Sequence, residues 1–162
     1  MATAVYPGSF DPITFGHLNV IERVTPLFES VTVLVASDPE KKYFFTPEER
    51  RTLIEKSLKK GSNVKVDIWQ GLTVDYLEKT KCKYLVRGIR SITDFDHEFV
   101  MSTMNKKLNP KVDTIFVPAD IEYNFVSSRA MKEVAINGGD LEQFVPAAVA
   151  KAVREKLKAR KR

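Results

Sequence analysis

Apolar positions follow two alternating rhythms along the chain. Residues 2–6, 31–36, 64–68, 84–86 and 114–117 are short runs rich in Val, Ile and aromatic side chains, the composition of strands. The second and fourth runs are nearly continuous in apolar residues, as for strands covered on both faces. Between the first two, Leu18, Ile21, Val24 and Phe28 recur at helical spacing, and Pro26 predicts a break near Thr25. Thr46-Pro47-Glu48-Glu49 predicts a helix start: Thr46 caps, Pro47 stands where no amide donor is needed, and Glu49 completes a capping box. That helix should run to about Lys60, with Gly61 as its stop. Residues 72–79, 94–108 and 127–136 are further predicted helices, and Pro146 opens a last one towards the C-terminus. The order β-α-β-α-β-α-β-α-β-α-α predicts an α/β fold: one domain over residues 1–162, a doubly wound, five-stranded parallel sheet with C-terminal helices. Its crossovers should be right-handed, and a ligand should bind beyond the carboxyl ends of the strands.

Composition narrows the class. With 162 residues, 43% of them hydrophobic, the chain can bury roughly 70% of its unfolded surface around one core, and it is no disordered polymer. A lone cysteine, Cys82, excludes an intramolecular disulfide scaffold and a zinc ribbon and fits a reducing cytoplasm; its place just before the fourth strand reads as a buried small apolar residue. The longest apolar runs fall far short of the ~20 residues of a membrane helix, and the N-terminus lacks an export pattern. A cytoplasmic protein without membrane attachment is expected.

The formal charge is +5, from 26 Lys plus Arg against 21 Asp plus Glu, but it is not spread evenly. Residues 151–162 hold seven basic side chains (Lys151, Arg154, Lys156, Lys158, Arg160, Lys161 and Arg162) and one acid, Glu155, leaving the other 150 residues at −1. The body is nearly neutral, so the excess describes a basic helical tail, expected to fray, and not a nucleic-acid surface. Removing residues 158–162 is expected to leave the chemistry of the body intact.

Candidate chemistry collects at the predicted strand ends. After the first strand comes Tyr6-Pro7-Gly8-Ser9-Phe10-Asp11-Pro12-Ile13-Thr14-Phe15-Gly16-His17, a turn-rich stretch leading into a helix near Gly16. A histidine there sits by unpaired amides and the positive end of the helix dipole, which suits a phosphate; that His17 only caps the helix stays open on position alone. Neither G-x-G-x-x-G nor G-x-x-x-x-G-K-S/T is present. Lys41 lies in the loop after the second strand, where a flexible ammonium can follow charge moving between phosphates or simply be solvated. Arg87 and Arg90 flank Gly88 at the fourth strand's end; they match phosphate geometry, or pair with acids such as Asp94, Asp96 and Glu98. Ser127-Ser128 follows the fifth strand and can cap the next helix while facing an anion. Trp69, Tyr123 and Phe125 read as packing residues.

Gly8-Ser9-Phe10-Asp11-Pro12 with Thr14-Phe15-Gly16-His17 resembles the nucleotidyltransferase superfamily, whose (His or Thr)-x-Gly-His motif handles nucleoside triphosphate phosphates. Within it, the chain is similar to the bacterial phosphopantetheine adenylyltransferases. Four further segments carry that closer likeness: Lys41-Lys42 before Phe45-Thr46-Pro47-Glu48-Glu49-Arg50; Gly71-Leu72-Thr73; Arg87-Gly88-Ile89-Arg90 with Asp94-Phe95 and Glu98; and Phe125-Val126-Ser127-Ser128 with Lys132-Glu133-Val134. Together they span residues 5 to 134 in family order.

The resemblance implies transfer of an adenylyl group from ATP to 4'-phosphopantetheine, giving dephospho-coenzyme A and pyrophosphate, with Mg²⁺ on the ATP phosphates and no protein-held metal. It implies that His17 stabilises the transition state, with Lys41 and Arg90 also catalytic. Ser9, Lys41, Thr73, Arg87 and Asn105 would hold the acceptor. Ser9, Phe10, His17, Gly88, Ile89, Arg90, Glu98, Tyr123, Asn124, Phe125, Val126, Ser127, Ser128 and Arg129 would hold ATP, with adenine beside the backbone of 123–125. A homohexamer and feedback inhibition by coenzyme A are implied as well, with Phe99, Met101 and Met104 candidates for subunit contacts. The attacking phosphate is already an anion, so no general base is needed, which fits the lack of a triad or carboxylate dyad. His97, where the family usually has Tyr, and Arg129, where a third Ser is frequent, depart from the pattern and bear on fine nucleotide contacts. Transfer to another phosphate acceptor, or a basic nucleic-acid-binding module, are the rival readings.

Overall fold

A computed structural model describes residues 2–160. Five strands, β1 (Thr3–Gly8), β2 (Ser30–Ser37), β3 (Val64–Gln70), β4 (Tyr84–Ile89) and β5 (Asp113–Pro118), form one parallel sheet in the order β3-β2-β1-β4-β5. Helices α1 (Phe15–Val24), α2 (Pro47–Ser57), α3 (Thr73–Thr80) and α4 (Ile92–Leu108) are the crossovers, followed by α5 (Ser128–Ile136) and α6 (Ala147–Arg160). The strand order proceeds outward from β1 to β3, then returns to the other side of β1 for β4. This reversal opens a crevice at the carboxyl ends of β1 and β4, where open α/β sheets take ligands.

Alternation along the strands sorts the core onto two faces. Ala4, Tyr6, Val31, Val33, Val35 and Val86 pack with Val20, Ile21 and Val24 of α1, Ile54 of α2, Met131 of α5 and Val149 and Val153 of α6. On the other face Val5, Leu34 and Leu85 meet Tyr76 and Leu77 of α3, with Cys82 buried beside them as expected. α4 is different: it buries no residue, and Phe99, Val100, Met104 and Leu108 stand exposed.

Local chemistry accounts for most boundaries. Thr46 and Glu49 make the expected reciprocal capping box, with Pro47 as first helical residue. α1 stops at Val24, and Thr25–Leu27 continues as a single 3₁₀ turn around Pro26. Two helix ends differ from expectation by two residues or more. α2 ends at Ser57, because Leu58 is already extended, and α4 starts at Ile92, because Ser91 caps it by accepting the Asp94 amide. Of the basic residues expected to form a fraying tail, Lys156 pairs with Glu49 and lies over the Phe45 ring, and Arg160 lies over Phe44. Lys161 and Arg162 fall outside the described residues.

Candidate active site

The β1–α1 connection is built around a buried aromatic ring and a buried acid. Phe10 takes a left-handed backbone (φ 45°), and its ring meets Tyr6 and His17 edge-on, with centroids 5.4 and 5.1 Å away. The Asp11–Pro12 peptide is cis. The Asp11 carboxylate accepts the amides of Phe44 and Phe45, both at 2.8 Å, and pairs with Lys132 of α5 at 3.1 Å. Arg50 of α2, fully buried, donates to the carbonyls of Ser9 at 2.7 Å and Ala36 at 3.0 Å. The loops after β1 and β2 are thus tied to each other and to α2 and α5.

His17 occupies the third position of α1, and Thr14 caps the helix. Nδ1 of His17 accepts the Thr14 backbone N–H at 3.1 Å and lies 3.0 Å from the Thr14 hydroxyl. An amide can only donate, so Nδ1 must be unprotonated and the neutral ring carries its hydrogen on Nε2. Burial, reinforced by the cations of Arg90 and Arg87, lowers the His17 pKa to about 4. A neutral imidazole is therefore held with one nitrogen committed to its own helix and the other available as a donor. Capping and ligand contact are compatible, since they use different ring nitrogens.

Arg87 and Arg90 point from the end of β4 and the turn after it. Arg87 is bidentate with Glu98 of α4, at 2.6 and 2.5 Å, and also donates to the Pro7 carbonyl at 3.0 Å. Arg90 bonds Asp94 at 2.9 Å and reaches the Val126 carbonyl at 3.4 Å. Pairing with acids, one of the two readings open from sequence, is thus found for both. Ser127 caps α5 by accepting the Ala130 amide, and Ser128 donates to the Pro12 carbonyl at 2.7 Å.

Two clefts meet here. The larger, about 330 Å³, gathers Ser9, Phe10, His17, Arg87, Gly88, Arg90, Glu98, Val126, Ser127, Ser128 and Arg129. The second, about 260 Å³, takes in Gly71, Thr73, His97 and Asn105, and shares Pro7, Arg87 and Glu98 with the first. Lys41, Ile89, Tyr123, Asn124 and Phe125 line neither. Lys41 is exposed and paired at 3.7 Å with Asp38. Phe125, expected to pack, is 63% exposed, although its ring lies edge-on to Phe144. Trp69 does pack, edge-on to Tyr76, and its indole N–H fixes the next turn by donating to the Leu72 carbonyl at 2.9 Å. That turn passes through Gly71 at φ 122°, a backbone few other residues adopt.

Asp11 and Arg50, with no site role expected, prove to brace the turn that carries Ser9 and Phe10. A buried arginine was the available signal only once burial was known, since arginine is ordinarily a surface residue. Thr14 belongs with them, and the capping spacing Thr14 to His17 was readable in advance.

The family model described as cytidylyltransferase-like matches residues 5–134. The phosphopantetheine adenylyltransferase of Bdellovibrio bacteriovorus is 52% identical over 155 residues, covering 96% of this chain and 97% of that one. That of Thermotoga neapolitana is 47% identical over 159 residues, covering 98% and 99%. Among solved structures, one from Vibrio parahaemolyticus aligns with a TM-score of 0.70 at 19% identity over 97% of this chain and 95% of its own. The nicotinic acid mononucleotide adenylyltransferase of Plasmodium falciparum, in complex with NaAD, aligns at 0.65 and 18% identity over 98% and 95%. At such identities those two bear on the fold alone, a doubly wound parallel sheet. Near-complete coverage at about half identity goes further, and by it the chain belongs to the phosphopantetheine adenylyltransferase family.

Proposed function

We propose that this protein transfers the adenylyl group of ATP to 4'-phosphopantetheine, reversibly, giving dephospho-coenzyme A and pyrophosphate in coenzyme A biosynthesis. The observation that carries this reading is the meeting of two clefts at Arg87: one is ringed by His17, Arg90, Ser127 and Arg129, the other by Thr73 and Asn105. A two-substrate displacement needs such a shared wall, across which an acceptor phosphate and an α-phosphorus can come into line.

In this reading a phosphate oxygen of the acceptor bonds to the α-phosphorus as the bond to the β-phosphate oxygen breaks, and pyrophosphate leaves with the electron pair. The Nε2–H of His17 donates to an α-phosphate oxygen, whose charge grows in the transition state, so the neutral ring acts as a fixed dipole without proton transfer. Arg87, Thr73 and Asn105 hold the acceptor. Arg90, Ser127, Ser128 and Arg129 face the leaving phosphates, Phe10, Gly88 and Glu98 border the nucleotide, and Ser9 touches both substrates. Lys41, Ile89, Tyr123, Asn124, Phe125 and Val126 complete the set by the family likeness, Lys41 entering by movement of its loop.

Mg²⁺ belongs to the nucleotide in this proposal. The nucleotide phosphates offer the hard oxygen ligands that Mg²⁺ prefers, with water completing its shell. When bound, Mg²⁺ would supply positive charge beside the phosphates that Arg90, Ser127 and Ser128 face. Residues 1–162 are taken as one nucleotidyltransferase domain, working in the cytoplasm and inhibited by its end product coenzyme A, which shares the arm and nucleotide of the immediate product. The exposed apolar face of α4 supports a homohexamer, to be checked by light scattering.

A pyrophosphate-release assay tests the reaction. ATP is offered with phosphopantetheine, nicotinamide mononucleotide or glycerol phosphate, and turnover is expected with the first. Turnover with another acceptor only, or with none, would reject the proposal.

A further inference from the structure

Lys41 lies in the segment between β2 and α2, and that segment is held in two unequal ways. Its first half is self-contained: Asp38 accepts the Glu40 amide at 3.0 Å, receives the Lys41 amide on its carbonyl at 3.1 Å, and pairs with the Lys41 ammonium at 3.7 Å. Nothing in that turn ties Lys41 to the clefts. The second half, Phe44 and Phe45, is buried and anchored from outside. Asp11 takes both backbone amides from the β1 side.

From the opposite side comes α6. Lys156 and Arg160 are four residues apart, so they project from one face of the helix. The Lys156 ammonium lies 5.0 Å from the centre of the Phe45 ring and pairs with Glu49 at the start of α2. The Arg160 guanidinium lies 4.4 Å from the centre of the Phe44 ring and donates to the Phe44 carbonyl at 3.4 Å. Cations over aromatic faces are attracted by the ring quadrupole and order both partners.

We infer that Lys156 and Arg160 are positioning residues for adenylyl transfer: the last turns of α6 clasp the Phe44-Phe45 base of the loop and thereby set where Lys41 can reach. The inference rests on the proposed role of Lys41. It also runs against the expectation that residues 158–162 can be removed without loss, since Arg160 lies among them, and gives two of the seven cations of residues 151–162 a task. Neither residue lines the nucleotide cleft, so loss of the clasp removes no direct contact to it, and Asp11 still holds the Phe44 and Phe45 amides from the β1 side. What it loosens is a loop whose lysine must be placed to within a fraction of an ångström of the moving charge.

The test is a double-mutant cycle read by kcat. Arg160→Ala and Lys156→Ala together are expected to lower kcat about tenfold with the ATP KM within twofold of the parent, and to speed amide exchange at Phe44 and Phe45. In a Lys41→Ala background the same pair of substitutions should change kcat little. Arg160→Lys, which keeps a cation over the ring, should restore much of the rate. An equal loss in both backgrounds means a structural role and overturns the inference, as does an unchanged kcat in the parent background. If Lys41→Ala alone turns over normally, the role of Lys41 falls and the clasp with it, while continued pyrophosphate release with phosphopantetheine leaves the reaction itself standing.

Discussion

Arg87 and Glu98 form a bidentate pair, 2.6 and 2.5 Å between their atoms, on the wall that the two clefts share. β4 supplies the guanidinium and the second turn of α4 the carboxylate, so packing the crossover helix on its strand sets the pair. The pair leaves Nη1 of Arg87 to the Pro7 carbonyl at the end of β1. A guanidinium oriented in this way is pre-arranged for a phosphate without being an unpaired half-buried charge, and the carboxylate limits how strongly free anions are drawn to it.

Glu98→Gln removes that limit while keeping the shape. Affinity for inorganic phosphate, measured by calorimetry, should rise several-fold, and kcat should fall because Arg87 loses one of two charge-assisted bonds that fix its plane. Unchanged phosphate affinity would show that the carboxylate does not temper the site.

The His17 ring makes a prediction with a definite sign. Its folded pKa of about 4 lies below the ordinary value of 6.5, so between those values the unfolded chain binds the extra proton. Native stability should accordingly fall as pH drops from about 6.5 towards 4, and this contribution should be complete above 6.5. Denaturant titrations across that range should show a shallower slope for His17→Asn than for the parent. Equal slopes would mean that the ring is protonated in the folded protein at ordinary acidity.

Turnover supplies a separate test of the same residue. Removing the single Nε2 donor in His17→Ala should lower kcat by ~10²-fold in a folded protein, the scale of one lost transition-state donor. The parent should show no inflection near pH 6.5 assignable to this histidine. A near-normal kcat would return His17 to capping alone.

Where local spacing decides, the site was legible in the sequence. His17 stands where a helical pattern begins, Arg87 and Arg90 flank a glycine at a strand end, and Ser127 precedes a helical pattern, so each was placed by its own neighbourhood. The braces were not. Asp11 bonds residues 33, 34 and 121 positions away, and Arg50 reaches back 41 positions to Ser9, relationships that only the folded topology creates. Phe125 failed for the opposite reason: aromatic character suggested packing, but the 3₁₀ turn Ile121–Tyr123 before it presents its side chain to solvent. Strand ends were underestimated because Pro7, Gly8 and Gly88 continue the ladder without adding an apolar signal.

Asp11 should be costly to replace. Asp11→Asn leaves Lys132 without its charge partner and turns a donor NH₂ towards one of the two amides that the carboxylate now accepts. Breaking a buried, hydrogen-bonded charge of this kind costs about 3 kcal/mol. The urea midpoint should fall accordingly, whereas a change below about 0.5 kcal/mol would mean that the loop closes equally well without it.

Gly8 offers the sharpest probe of how the β1 turn reaches His17. A Cβ at position 8 would lie 3.0 Å from the far end of the Phe10 ring, so the ring must yield by a few tenths of an ångström. That ring is packed edge-on between Tyr6 and His17, and Phe10 itself is held at φ 45°, which leaves little room for the backbone to absorb the push. Gly8→Ala should therefore displace the imidazole, weaken its Nδ1 bond to Thr14 and lower kcat several-fold, with a modest fall in melting temperature from the overpacked ring. Combining it with Phe10→Leu, which removes the ring edge facing Gly8, should add little to the effect of Phe10→Leu alone. Additive losses would place the effect of Gly8 elsewhere, in direct contact with substrate along the wall it shares with Ser9.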